Sequence, residues 1–157
     1  MRSAYRVLAY LLAVEVVIQA ATIAYAVFGL TKWIDGGGVL DKAAMEDAST
    51  TFTGVTGFMV HGVNGQIIVP AIALILLVVS FFAKVPQGVQ WAGLCFGTVV
   101  VQVLLGMFAH GVPALGGLHG IVAIALFAAA VVAARRASTG SGSVPTSRQA
   151  DRTAGIV

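Results

Sequence analysis

The sequence predicts an all-α, polytopic membrane protein: an up-down bundle of four transmembrane helices with both termini in the cytoplasm. Of its 157 residues, 59% are hydrophobic and only 10% are charged, and the mean hydropathy is +0.97. Soluble domains carry about 25% charged residues, so this composition excludes an ordinary soluble domain. The chain also contains four apolar stretches of the length that a bilayer requires, roughly 20 residues each.

Charge and cysteine content exclude two further classes. Nine basic and six acidic residues leave a formal net charge of +3, which is too sparse for a surface that follows nucleic-acid phosphates. The single cysteine, Cys95, lies in an apolar run. Neither an intrachain disulfide nor a multi-thiolate metal site is therefore expected.

The four predicted spans cover residues 5–30, 56–83, 91–110 and 115–134, within a transmembrane domain of residues 1–136. The first span is longer than the apolar core of a signal peptide, about 7–15 residues, and it contains Glu15 and Gln19, so we expect it to be retained.

Two segments outside the spans are long enough to characterise. Residues 31–55 form an outer loop, in which 39–48 are predicted to form a short amphipathic helix after a glycine hinge at 36–38. Residues 137–157 are rich in glycine, serine and threonine and are predicted to be a disordered cytoplasmic tail.

Basic residues near the span ends predict the orientation. They lie at the N-terminus, between the second and third spans and after the fourth span, whereas the third connection carries no charge. The positive-inside rule then predicts cytoplasmic termini, with the first and third connections outside. The basic residues used for this prediction are Arg2, Arg6, Lys84, Arg135 and Arg136.

All three histidines map to the outer half of the predicted bundle. His61 lies near the start of the second span, His110 ends the third, and His119 lies one turn into the fourth. Each is followed by a glycine, and further glycines lie one helical turn away. Residues four apart share a helix face, so each histidine has small neighbours and room beside it for a flat macrocycle. The alternative is that these glycines serve close helix packing.

This pattern favours haem b held by two neutral imidazoles, since cofactor sites in bundles use inward side chains of facing helices. His61 and His119 lie on diagonal helices and are the expected ligands to the haem iron, with Gly65 and Gly120 as small neighbours. Their depths, counted from the basic flanks, differ by about 10 Å. His110 is therefore a competing ligand, or it bonds a propionate. Three imidazoles around zinc or copper are a further alternative.

Other polar residues also lie inside the predicted spans. Glu15 and Gln19 are one turn apart on the first. They form either a hydrogen-bonded contact between helices or a proton or quinone contact. Gln66 and Gln102 are expected to hydrogen-bond across helices. Pro70 is expected to kink the second span and expose a carbonyl near Gln66.

Two short stretches carry a resemblance to a known family. They are Phe58-Met-Val-His, and Val101-Gln-Val-Leu-Leu-Gly-Met-Phe followed by Leu118-His-Gly. The chain resembles one four-helix half of haem A synthase, in which each half carries ligand histidines on its second and fourth helices. Phe58 replaces the glutamate of the catalytic half, and the outer cysteine pair is missing. The resemblance is therefore to the half that holds haem b, and it implies His61 and His119 as ligands. Small bacterial four-helix membrane proteins are also similar.

The sequence thus predicts a haem-b-binding protein of the bacterial inner membrane that relays electrons from a quinol or a membrane dehydrogenase to an outer acceptor. No catalytic residue of its own is predicted. The alternative is a non-catalytic membrane subunit or assembly factor, with no cofactor, that docks a respiratory complex. A quinone or small-molecule carrier using Glu15 and Gln19 is a third hypothesis, and each is compatible with a homo-oligomer.

Overall fold

Four long helices make up most of the protein, as the sequence predicts. The computed structural model describes residues 1–138, and these contain helices and connections but no strand. Each of the four is long and apolar enough to cross a membrane, as expected for a multi-pass membrane protein. They are α1 (Arg2–Asp35), a continuous second helix made of α3 (Thr56–Val63), a π-helical turn (Asn64–Ile68) and α4 (Val69–Ala83), then α5 (Gly88–Phe108) and α6 (Pro113–Ser138).

The helix ends differ from the predicted spans by a few residues. Helix α1 extends beyond residues 5–30 in both directions, α5 covers 88–108 instead of 91–110, and α6 begins two residues before 115. Helix α6 also continues to Ser138, so the first two residues of the predicted tail are helical. The reason is an alanine face that continues to Ala137, which is buried. The rest of the predicted tail, 139–157, lies outside the described residues.

The loop between the first two long helices holds a short helix, α2 (Lys42–Glu46), inside the predicted segment 39–48. Asp41 caps its start, since its carboxylate accepts a hydrogen bond from the backbone N–H of Ala44 at 2.8 Å. The expected glycine hinge ends α1 at Gly36, and Gly37 adopts a φ of +97°, a conformation that favours glycine.

The long helices pack into a bundle whose buried core lies at one end. Helix α1 lies against α6 and against α3 and α4, while α5 lies against α4 and α6. Burial is concentrated in the first half of α1 and α5, along the whole of α4 and in the second half of α6. The largest fully buried side chains are Tyr5, Leu12, Leu76, Cys95, Val99 and Leu126.

Hydrogen bonds close this end of the bundle around the α4–α5 connection. Arg2 Nη2 donates to the carbonyl oxygen of Lys84 at 2.8 Å, and the Tyr5 hydroxyl donates to that of Gly88 at 3.0 Å. Arg136 donates to the Gln87 side chain and lies over the ring of Trp91. We call this the basic end of the bundle, defined by Arg2, Lys84 and Arg136.

A π-helical turn ends two residues before Pro70, the residue at which the sequence predicts a kink. Proline lacks an N–H and crowds the carbonyl four residues earlier, which is that of Gln66. In the turn, the N–H of Val69 donates to the carbonyl oxygen of Asn64, five residues back. This pattern characterises a π-helix, and such turns occur often at functional sites. Pro70 is thereby accommodated within one continuous helix.

Small residues bring α1 close to the chain that enters α3. A β-carbon added to Gly29 would lie 1.7 Å from the carbonyl oxygen of Thr53, so only glycine fits there. A β-carbon on Gly57 would lie 2.6 Å from the carbonyl oxygen of Thr22. At these two positions the glycines serve close packing, which is the alternative that the sequence left open.

Candidate functional site

The structure brings His61 of α3 and His119 of α6 together. Their ring centroids are 6.2 Å apart, and the ring planes are inclined by 65°. The two residues predicted as haem ligands therefore lie close together, despite the depth difference counted along the sequence. We call the end of the bundle defined by these two residues the histidine end.

Each histidine is held by the main chain of a neighbouring helix. His61 Nδ1 lies 3.1 Å from the carbonyl oxygen of Gln19, and His119 Nδ1 lies 3.0 Å from that of Gln102. A carbonyl oxygen can only accept, so Nδ1 carries the hydrogen in both rings. In the neutral imidazoles Nε2 then keeps its lone pair, which is the form that binds a metal ion.

The two helix pairs repeat the same local contact. Gly57, four residues before one histidine, lies against Ala26, and Gly116, three residues before the other, lies against Ala109. A β-carbon would approach the alanine methyl to 3.0 Å in the first pair and 3.7 Å in the second. Each alanine also follows its glutamine by seven residues. Two similar helix pairs thus present one imidazole each toward the other pair.

The histidine end has almost no core of its own. No residue between Val99 and Leu126 is buried, and in α3 and the π-helical turn only Gly57 is buried. His61 and His119 are themselves only half-buried. This end of the bundle is therefore less closely packed than the basic end, where the buried core lies.

The amides of Gln19 and Gln102 do not make the expected contacts between helices. Both amide atoms of Gln19 and the Oε1 of Gln102 are buried without a hydrogen-bond partner. The prediction for Gln102 is wrong in this respect, because its carbonyl oxygen, not its amide, bonds the neighbouring helix. A buried polar group without a partner costs about 1–3 kcal/mol, so these amide atoms have hydrogen-bonding capacity that the described residues do not use.

The cross-helix bond predicted for Gln66 is made by Asn64 instead. Asn64 Nδ2 donates to Glu15 Oε2 at 2.8 Å, which joins the π-helical turn to α1. Gln66 is exposed and makes no side-chain hydrogen bond within the part of the chain described. The sequence analysis missed Asn64. Its signal was its position three residues after His61, which places both on one helix face.

The glycines near the histidines have different surroundings. A β-carbon on Gly65 would lie 3.3 Å from the Gln19 amide nitrogen, whereas one on Gly120 would have no atom within 4 Å. Gly106 lies against the ring of His119, since a β-carbon on Gly106 would be 3.4 Å from His119 Cε1. Gly106 was not among the predicted site residues, although it leaves room for that ring.

His110 does not make the contacts that His61 and His119 make. It is exposed in the turn between α5 and α6, and it makes no hydrogen bond within residues 1–138. Among these residues, no group of three or more histidine, cysteine, aspartate or glutamate side chains could hold a metal ion. The three-imidazole zinc or copper site is therefore not assembled.

Fold and site together define a helical protein with four helices fit to cross a membrane and one interhelical pair of histidines. No protein-family model, curated protein or solved structure matches the chain. The comparisons thus add no support to the resemblance to haem A synthase.

Proposed function

We propose that this protein binds one haem b between His61 and His119 and relays electrons near the outer face of the bacterial inner membrane. The observation that carries the proposal is the pairing of these two imidazoles across the bundle, 6.2 Å apart between ring centroids. Each is held through Nδ1, so that Nε2 of each ring is the nitrogen left to bind a metal ion.

The separation of the rings suits one metal ion between them. A bond from a metal ion to an imidazole nitrogen is about 2 Å long, so two such bonds on opposite sides span about 4 Å. The ring centroids are 6.2 Å apart. After the two bonds are subtracted, about 1 Å remains for each ring, which is the distance from a ring nitrogen to the centre of its ring.

The surroundings also fit a flat, bulky group. The histidine end has no buried side chains between Val99 and Leu126, and Gly120 faces open space. The buried, unpartnered amides of Gln19 and Gln102 provide polar groups beside the two ligands. His61 and His119 would hold the haem iron between them, and haem held by two histidines would supply one-electron transfer without oxygen activation.

The residues of the chain then have separate tasks. The carbonyl oxygens of Gln19 and Gln102 fix the tautomer and orientation of the two imidazoles. Because Gly106 has no side chain, it leaves space for the ring of His119. The close-packed basic end holds the helices in register, so that the two histidines stay opposite one another.

The orientation of the bundle belongs to the same proposal. Arg2 contacts Lys84 at the basic end, where Arg136 also lies. An up-down arrangement with this end in the cytoplasm satisfies the positive-inside rule. The histidine pair then lies toward the outer face, where it would deliver electrons to an acceptor outside the membrane.

An optical spectrum tests the proposal. We expect detergent-purified protein, after dithionite reduction, to show a Soret band with sharp α and β bands. His61→Ala should abolish these bands and His110→Ala should retain them. A wild-type protein that stays colourless after haem is added would overturn the proposal.

The second candidate function is a cofactor-free membrane subunit or assembly factor of a respiratory complex. It is favoured by the hydrogen bond that each histidine already makes to a neighbouring helix, which a structural role would explain. This candidate predicts a colourless protein that co-purifies with partner subunits, and His61→Ala would then lower its thermal stability.

A further inference from the structure

A polar cluster lies between α1 and the second long helix, inside the apolar part of both. It consists of Glu15 and Gln19 on α1 with His61 and Asn64 on the other helix. Asn64 donates to the Glu15 carboxylate at 2.8 Å, and His61 bonds the carbonyl oxygen of Gln19. An ionisable residue within a membrane segment is costly, and it marks a functional site by default.

One member of this cluster has unused hydrogen-bonding capacity. Both amide atoms of Gln19 are buried without a partner, and the amide lies against Gly65, where a β-carbon would be 3.3 Å from its nitrogen. Glu15 is four residues away on the same helix face. An unpartnered amide and a carboxylate thus share one face of α1.

An apolar groove adjoins the cluster on the second helix. Its volume is about 360 Å³, and it lies where the π-helical turn follows α3. Asn64 belongs both to this groove and to the cluster, so a ligand could place a polar group at one and an apolar chain in the other. The lining residues are Met59, Val60, Val63, Asn64 and Ile68.

We infer that this is a binding site for a quinone or hydroquinone, with its headgroup at Glu15 and Gln19 and its apolar tail in the groove. The Gln19 amide can donate to a quinone oxygen, and the Glu15 carboxylate can accept from a hydroxyl. The inference rests on the proposed function, for which it names the class of electron donor, because the site adjoins His61.

The depth of the cluster favours this ligand over a phospholipid. Glu15 lies 13 residues beyond the start of α1, or about 20 Å along the helix axis. That position is within the hydrocarbon region, whereas phospholipid headgroups stay at the interface.

The test measures binding of decylubiquinone to the full-length protein without added haem, in a fixed amount of detergent. Quenching of tryptophan fluorescence should saturate for the wild type. Gln19→Leu should raise the Kd by about three- to tenfold, because one hydrogen bond is lost. The matched control is Gln66→Leu, at an exposed glutamine near Asn64, and it should leave the Kd unchanged.

Thermal unfolding of the same haem-free variants separates binding from folding. Gln19→Leu removes a buried amide without a partner, so its unfolding temperature should not fall. Glu15→Gln, which keeps an acceptor for Asn64, provides a second folded variant and should also weaken binding of the hydroquinone form.

The outcomes separate this inference from the haem proposal. Non-saturable quenching of the wild type, displacement of the quinone by excess phospholipid, or an unchanged Kd in Gln19→Leu would overturn the quinone site even if haem is bound. Saturable quinone binding by a protein that takes up no haem would keep the site and overturn the haem proposal.

Discussion

The carbonyl oxygen of Gln19 accepts a hydrogen bond from Nδ1 of His61 at 3.1 Å, so a main-chain atom of α1 orients the imidazole of the next long helix. Gln102 and His119 repeat this relationship. Because a mutation cannot remove a carbonyl oxygen, the orientation of both rings depends on the positions of the helix backbones.

Substitution of His119 and of His110 can identify which of them is the second haem ligand beside His61. We expect His119→Ala to abolish the absorbance of bound haem, because its ring is the one that faces His61. His110→Ala should retain that absorbance, since His110 is exposed in a turn. Reduced-minus-oxidised spectra of the two variants provide the measurement. Loss of haem only in His110→Ala would instead identify His110 as the second ligand.

Gly106 should be intolerant of a large side chain. Its β-carbon position is 3.4 Å from His119 Cε1, so Gly106→Leu is expected to displace the ring and reduce haem content severalfold. Gly97→Leu, on the same helix but with no atom within 4 Å, is the control and should bind haem normally. Equal haem content per protein in both variants would contradict this account of Gly106.

The approach of α1 to the α3 region should depend on Gly29. A methyl group there would meet the carbonyl oxygen of Thr53 at 1.7 Å, so Gly29→Ala is expected to destabilise the fold by about 1–3 kcal/mol. Gly62→Ala has open space and should be neutral or slightly stabilising, because alanine favours helices. Thermal unfolding in detergent measures both. A Gly29→Ala variant as stable as Gly62→Ala would show that the helices can separate without cost.

Tyr5 should stabilise the basic end through its hydroxyl group. The side chain is fully buried, and the hydroxyl donates to the carbonyl oxygen of Gly88 at 3.0 Å. Tyr5→Phe leaves that carbonyl without this donor and should lower the free energy of unfolding by about 1–2 kcal/mol. Tyr10→Phe, at an exposed tyrosine, is the matched control. Equal denaturation midpoints for the two variants would show that the hydrogen bond from Tyr5 to Gly88 does not stabilise the fold.

The loop between α1 and α3 should show one acid-sensitive turn. The backbone N–H and hydroxyl of Ser49 donate to the Asp47 carboxylate and hold the pKa of that group below its usual value of 3.8. A lowered pKa means that the turn is fully held above the pKa of the unfolded chain and is lost as pH falls through the folded value. Ser49→Ala should raise the Asp47 pKa, as measured by NMR titration. A pKa unchanged by this substitution would assign the shift to the backbone alone.

The number and position of the long helices could be predicted from the sequence. Apolar length is a local property, and residues 56–83 match the second long helix at both ends. The histidine pair was also predictable in part, because residue type and glycine spacing marked His61 and His119 as candidates. Local sequence could not choose between His110 and His119, since their relative depth depends on where each helix begins and how it packs.

The contacts of the polar side chains depended on helix rotation, which no local pattern specifies. Asn64 meets Glu15 across the interface between the helices, whereas Gln66, two residues later, is exposed. Likewise, Gln19 and Gln102 contribute their carbonyl oxygens to the histidines, and their amides stay unpartnered. Hydrophobic length therefore specifies the helices, whereas the rotation and spacing of packed helices select which atoms form the site.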